Sequence, residues 1–203
     1  MKLFLKQLRP AALILLVMII ICGVIYTAVM TGVAQLIFPN QANGSVITVT
    51  LKDGTKKDYG SALIAQDFTE PQYLIGRPMA TQQSATEAQA PGARPLMDSN
   101  LSPASAQMKK EVAAQVQWFH ELDPGNTAPI PADLVTGSGS GVDPSISPAA
   151  AEYQVERIAR ERNMSADAVR ILIKKYTTGR FLGFIGDPTV NVLKVNLALD
   201  GLL

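Results

Sequence analysis

From Pro10 to Leu51 the chain contains no Asp, Glu, Lys or Arg, and that interval sets the first limit on what it can fold into. Its central part, AALILLVMIIICGVIYTAVMTGVAQLIF at Ala11–Phe38, exceeds the roughly 20 residues that cross a hydrocarbon core of about 30 Å. A cleavable signal peptide competes with this reading, since Gly32-Val33-Ala34 sets small residues at a peptidase-like spacing. A signal's apolar region runs to only about 7–15 residues, so the stretch reads as a permanent anchor with its membrane helix at 11–36. The only cysteine, Cys22, lies inside it, so the rest of the chain has no disulfide framework and must be held by burial.

Flanking charge gives an orientation. Lys2, Lys6 and Arg9 precede the span with no acidic residue among them, whereas the first charges beyond it, Lys52 and Asp53, are of mixed sign. The positive-inside rule then predicts a cytoplasmic segment at 1–10 and an extracytoplasmic domain at 37–203. That outer part carries 15 basic against 17 acidic residues, a net of −2, which is a poor basis for nucleic-acid binding. Within the span, Gly23, Thr27, Thr31 and Gln35 recur every four residues. Small residues at this spacing admit a second helix backbone at close range, and hydroxyls bond across the contact. Gly23, Thr27 and Thr31 are therefore candidate partner-binding residues.

The outer domain reads as α+β: a small sheet with about three helices on it. SVITVTL at Ser45–Leu51, the turn Lys52-Asp53-Gly54-Thr55 and the return Lys56–Ile64 form a hairpin signal. Residues 79–107 are small, polar and proline-rich, and predict a long mobile surface loop at about 79–102. A helix is then expected from Ser102 as cap and Pro103 as first residue, with the stripe Met108, Val112, Val116, Phe119 and Leu122, Trp118 flanking it, and a stop at Asp123-Pro124-Gly125. Ser147-Pro148 opens a second, burying Ala151, Val155, Ile158 and Ala159, and Asn163-Met164 breaks it. Ser165 caps a third, burying Val169, Leu172, Ile173 and Tyr176, with Gly179 as its end. VNVLKVNLALD at Val190–Asp200 alternates as a strand does, although a helix would also gather Val192, Val195 and Leu199.

The chemistry-bearing motif is LVTGSGSGVDPSISPAAAEYQ at Leu134–Gln154, with Gly137, Gly139 and Gly141 at alternate positions. A Walker A loop needs Lys-Ser/Thr after its last glycine, and Val142-Asp143 stands there instead. A dinucleotide fingerprint needs glycine at 142, and a nucleophile elbow needs serine where Gly139 stands. His120 is the only histidine, so no zinc set can be built around it. No DKTG phosphorylation motif occurs anywhere. No catalytic or metal residue is assigned on these grounds. What remains is backbone chemistry: glycines that permit positive φ, Asp143 as a turn former or a carboxylate for a cation, and Ser147 at a helix start whose free N–H groups can receive a partner.

GSALIAQ at Gly60–Gln66, YLIGRP at Tyr73–Pro78, SNL at Ser99–Leu101, DLVTGSGSGVDPSISPAAAEYQVERIA at Asp133–Ala159 and RFLGFIGDPTVNVLKVNLALD at Arg180–Asp200 follow one N-terminal membrane helix in that order. Together they resemble the C subunit of the bacterial Kdp high-affinity potassium-transporting P-type ATPase over essentially the whole chain, with Ala65 and Met79 standing where the family pattern suggests glycine and serine. The resemblance implies a non-catalytic, single-pass subunit in the bacterial cytoplasmic membrane. Its partners would be a channel-like A subunit, an ATP-hydrolysing B subunit and a small F subunit. It also implies a part in assembly, a catalytic-chaperone effect on ATP binding, and an outer domain near the ion entrance. ATP is cytoplasmic, however, and the charge asymmetry puts the soluble chain outside. Direct ATP contact by the glycine loop or Gln154 would need the opposite orientation, so any ATP effect is expected to be indirect. Gly137, Gly139, Gly141, Asp143, Ser147 and Gln154 accordingly stand as candidate partner-binding residues. The competing function is an anchored envelope module that binds a peptide or glycan through the 79–107 loop.

Overall fold

The computed structural model describes residues 2–79, 94, 95, 97 and 101–203, with the side chains of residues 2–5 left aside. The expected mobile loop at 79–102 thus falls mostly outside the described residues. The chain divides into two compact units, Met1–Val46 and Ile47–Leu203.

The first unit is helical. α1 (Lys2–Met18) runs through Pro10 into a π-helical segment, Ile19–Tyr26, and on into α2 (Thr27–Ile37). The continuous span Lys6–Ile37 has 32 residues, and its apolar stretch buries nothing against the chain itself. At 1.5 Å per residue it extends about 48 Å, enough to cross a bilayer with tilt. The wider i→i+5 turn of the π segment is echoed by the Thr27 hydroxyl, which donates to the Cys22 carbonyl five residues back at 3.2 Å. α3 (Pro39–Ala42) turns the chain after the span. The Gln35 and Asn43 amides exchange hydrogen bonds at 3.0 and 3.2 Å and fasten that turn.

The expected hairpin comes next, β1 (Val46–Thr50), which starts at the boundary residue, and β2 (Lys56–Ser61), paired as a two-stranded sheet. At its far end Gly60 has φ +124°, and a Cβ there would stand 1.7 Å from Gln66 Nε2, which donates to the Tyr59 carbonyl. Only glycine fits. α4 (Ala106–Leu122) starts three residues later than Ser102-Pro103 implied, because Ser105 is the residue whose side chain accepts the Met108 N–H at 3.1 Å. Ser102 instead closes a turn with the Ser105 N–H. Trp118 does not flank the stripe but belongs to the core beside Phe119, the rings edge to face at 5.1 Å.

α5 (Ala132–Val135) leads through the glycine loop to β3 (Ser145–Ile146), α6 (Pro148–Tyr153) and α7 (Val155–Arg162). Ala151, Val155, Ile158 and Ala159 are all buried, as their spacing requires. Asn163 ends α7 in the left-handed region at φ 52°, and Ser165 caps α8 (Ala166–Lys175) by accepting the Ala168 N–H. α8 ends at Tyr176 rather than Gly179, and β4 (Thr177–Thr178) follows at once. β5 (Thr189–Asn191) lies between β3 and β4 and pairs antiparallel with both.

Strand then gives way to helix. Val192–Leu199 forms α9, capped by the Asn191 side chain, which accepts the Lys194 N–H at 3.0 Å. The alternating pattern misled because all but Lys194 of these residues are buried, so neither periodicity is imposed by a wet face. Val192, Val195 and Leu199 join Val155, Ile158, Val169 and Ile173 in one core.

Ile158→Ala should lower unfolding stability in a urea titration by about 2–5 kcal/mol. Ile171→Ala, on the 67% exposed outer face of α8, should stay within about 0.5 kcal/mol.

Candidate functional site

The YLIGRP segment occupies the centre of the second unit without belonging to any sheet. Leu74 and Ile75 are fully buried outside any helix or strand. Buried backbone with no neighbouring strand needs other partners for its N–H and C=O groups. Two side-chain amides supply them. Asn196 of α9 accepts the Leu74 N–H at 2.8 Å and donates to the Leu74 carbonyl at 2.9 Å. Gln154, at the junction of α6 and α7, accepts the Ile75 N–H at 2.9 Å and donates to the Ile75 carbonyl at 3.0 Å. Each amide serves one residue as the edge of a strand would.

Two buried arginines complete the arrangement. Arg157 donates to the carbonyls of Pro71 and Tyr73 and, at 2.7 Å, to Gln154 Oε1. Arg94 donates to the Gly76 and Leu134 carbonyls at 3.1 and 3.0 Å and to Gln115 Oε1 at 3.1 Å, over the faces of Trp118 and Phe119. Burial pulls each guanidinium down to about 10, opposed for Arg94 by the charge of Asp67 and for Arg157 mainly by that of Asp123. Both therefore remain cations at neutral pH. The same burial raises the Asp67 carboxyl, against the charge of Arg94.

The glycine loop lies over this segment. Arg77, two residues beyond Ile75, donates to the carbonyls of Thr136 and Gly137 at 3.3 and 2.9 Å. The Gly137 N–H donates to Met97 Sδ at 2.8 Å, and Met97 is itself buried. Ser138 and Gly141 close a turn through the Gly141 N–H and Ser138 carbonyl at 3.0 Å. Of the three glycines only Gly141 adopts positive φ, at 72°. Gly139 is exposed, and a Cβ on it would meet nothing within 4 Å.

Asp143 accepts the Ser145 N–H at 3.0 Å, which makes it a turn former, and the Val142 carbonyl accepts the Ala65 N–H at 2.9 Å. Ser147 caps α6 by accepting the Ala150 N–H at 3.1 Å, while its own N–H donates to Asp133 at 2.7 Å. The structure thus gathers Gly137, Gly141, Asp143, Ser147 and Gln154 into one hydrogen-bonded region whose bonds run inward. Among the described residues, no group of three His, Cys, Asp or Glu side chains could hold a metal ion.

Gly23, Thr27 and Thr31 lie in the first unit and are exposed along its helix. Gly23 sits in the π segment, and the Thr27 hydroxyl already has an acceptor in its own helix.

Asn196, Arg157, Arg94 and Arg77 were not singled out by sequence reading. A signal existed for the amides. Gln154 stands three residues after Ala151 and four before Ile158, on the apolar stripe itself, and Asn196 stands four after Val192 and three before Leu199. A neutral amide within a buried stripe must face a polar partner. For the arginines no such signal exists, since Arg157 neighbours Glu156 in a strongly charged helix.

Comparison with known proteins agrees with the motif order. The model of the family described as KdpC: K+-transporting ATPase, c chain, matches residues 8–201. A relative from Methylococcus capsulatus named potassium-transporting ATPase KdpC subunit is 52% identical, over 96% of this chain and 97% of its own. Relatives of the same name from Listeria monocytogenes and Clostridium perfringens are 49% and 52% identical over 98% or more of both chains.

Gln154→Leu strands both polar groups of Ile75 and should cost at least about 3 kcal/mol in thermal or urea unfolding. In the loop, Gly141→Ala should cost about 1–2 kcal/mol for its left-handed φ, whereas Gly139→Ala should be neutral within about 0.5 kcal/mol or slightly stabilising.

Proposed function

Because the chain belongs to the KdpC family, the c chain of K+-transporting ATPases, we propose that it is the non-catalytic accessory subunit of an ATP-driven potassium importer. In this reading it assembles and stabilises the complex. The channel-like A subunit, the ATP-hydrolysing B subunit and the small F subunit are its partners. One observation carries the reading at the level of chemistry: the glycine loop turns its polar groups onto Arg77, Met97, Ala65 and its own turns. That is the construction of a shaped surface, not of a cradle awaiting phosphate.

The membrane helix supplies the proposed attachment. Its apolar surface is open along the whole span, and Gly23, Thr27 and Thr31 keep side-chain bulk low on it. Packing of small residues and a few hydrogen bonds is the main source of helix association in lipid. The glycine loop, with Asp143 and Ser147, is the proposed contact of the outer domain, and Gln154 holds its shape from beneath.

The charge pattern around the span supports a cytoplasmic N-terminus and an extracytoplasmic domain. ATP then lies across the membrane from residues 47–203. Promotion of ATP binding, or gating of ion entry, would act through subunit packing, as a coupling between separate sites.

With the chain affinity-tagged and gently extracted, a multi-span channel protein and a DKTG-containing subunit should accompany it. Gly23→Leu with Thr27→Leu should weaken that association by about 1–2 kcal/mol, roughly tenfold. Unchanged recovery would remove the helix face from the account. Orientation is read separately, by placing a cysteine at exposed Ser140 in a chain with Cys22→Ala. A membrane-impermeant thiol reagent should label it in cells whose outer barrier alone is permeabilised. Labelling only after lysis would reverse the topology.

A further inference from the structure

Between β4 and β5 the chain forms a tight hairpin tip whose side chains are apolar and whose purpose the core does not explain. Phe181, Leu182, Phe184 and Ile185 are 69%, 70%, 73% and 49% exposed. No charged residue occurs between Arg180 and Asp187. The tip is held in shape by its own backbone. Phe181 and Ile185 exchange N–H···O=C bonds at 2.9 Å in both directions, the Gly183 N–H donates to the Arg180 carbonyl, and the Phe184 N–H to the Phe181 carbonyl. Leu182 and Gly183 take positive φ, 52° and 85°, so the turn fixes where the side chains project. Arg180 and Asp187 pair across the base at 3.3 Å.

Apolar side chains clustered in water at this density mark a surface that works against something else. We propose that the tip is a second membrane contact, seated in the headgroup–acyl boundary of the bilayer that the anchor helix crosses. This rests on the membrane anchor alone and not on the identity of the partner subunits.

Three observations favour lipid over a protein groove. The first is continuity: the chain already carries a 32-residue apolar span, and only residues 38–45 separate α2 from β1, which tethers the domain at a bilayer surface. The second is the hydrogen-bond balance. A protein partner normally meets a polar rim, but residues 181–186 offer no polar side chain. The N–H groups of Phe181, Gly183, Phe184 and Ile185 are satisfied within the hairpin, as an apolar medium demands. The third is the base, where Arg180, 51% exposed and paired with Asp187, has a stem long enough to carry its guanidinium to lipid phosphates.

The test uses the full chain carrying Phe184→Trp, reconstituted into phosphatidylcholine–phosphatidylglycerol vesicles whose acyl chains are brominated near the glycerol end. The unsubstituted chain, with buried Trp118 as its only tryptophan, is the baseline. A seated tip should shift the added emission to shorter wavelength and show strong bromine quenching beyond that baseline, with Leu182→Glu in the same chain reducing both. Water-like, unquenched emission from the Phe184→Trp chain would overturn the proposal. So would emission that shifts only after the other pump subunits are added and is never quenched by bromine, which would assign the tip to a protein groove. Since Phe184 is largely exposed, its replacement leaves the core untouched.

Discussion

A stretch of backbone buried away from water must have every N–H and C=O answered, and in this domain the stretch around Leu74 and Ile75 is answered by side chains. A neighbouring strand would have done the same work with backbone alone. Using Asn196 and Gln154 instead ties the segment to two helices at once, α9 and the α6–α7 junction, and Arg157 joins the second of these to Pro71 and Tyr73. Charged groups this deeply buried are tolerable only when they are compensated, since an uncompensated one would cost several kcal/mol. Arg94 and Arg157 spread their N–H groups over carbonyls and amide oxygens.

The glycine loop inherits its shape from that centre. Arg77 leaves the buried segment and grips the loop's first carbonyls, and Arg94 holds Leu134 just before them. Turn chemistry at Ser138–Gly141, Asp143 and Ser147 completes it. A surface preorganised in this way would lose little conformational freedom on binding. Membership of the KdpC family gives such a surface a context, a potassium-transporting ATPase. Among the described residues, the helix Lys6–Ile37 is long and apolar enough to cross a membrane and leaves its apolar surface open.

Much of this was legible before the structure. The span, the hairpin around Asp53-Gly54, the caps at Ser147 and Ser165 and the apolar faces of α7 and α8 follow from periodicity and capping rules that act over a few residues. The family was legible too, from the order of its motifs. Val192–Leu199 was ambiguous because a nearly all-buried helix has no polar face to set its period. The start of α4 slipped because Ser102-Pro103 and Ser105 both satisfy capping rules, and only the chain's path chooses between them. The amide pairing at Leu74 and Ile75 links residues 122 and 79 positions apart. No local pattern encodes a partner at that distance, and the glycine loop's dependence on Arg77 was hidden for the same reason.

Amide hydrogen exchange at Leu74 and Ile75 tests the central claim most directly. If Asn196 and Gln154 anchor this segment to the core, both amides should exchange only through global unfolding, as slowly as the best-protected sites of α7 and α8, despite lying outside any helix or sheet. Exchange at rates typical of exposed loops, while α7 and α8 remain protected, would show that the segment opens on its own and that the domain does not depend on it.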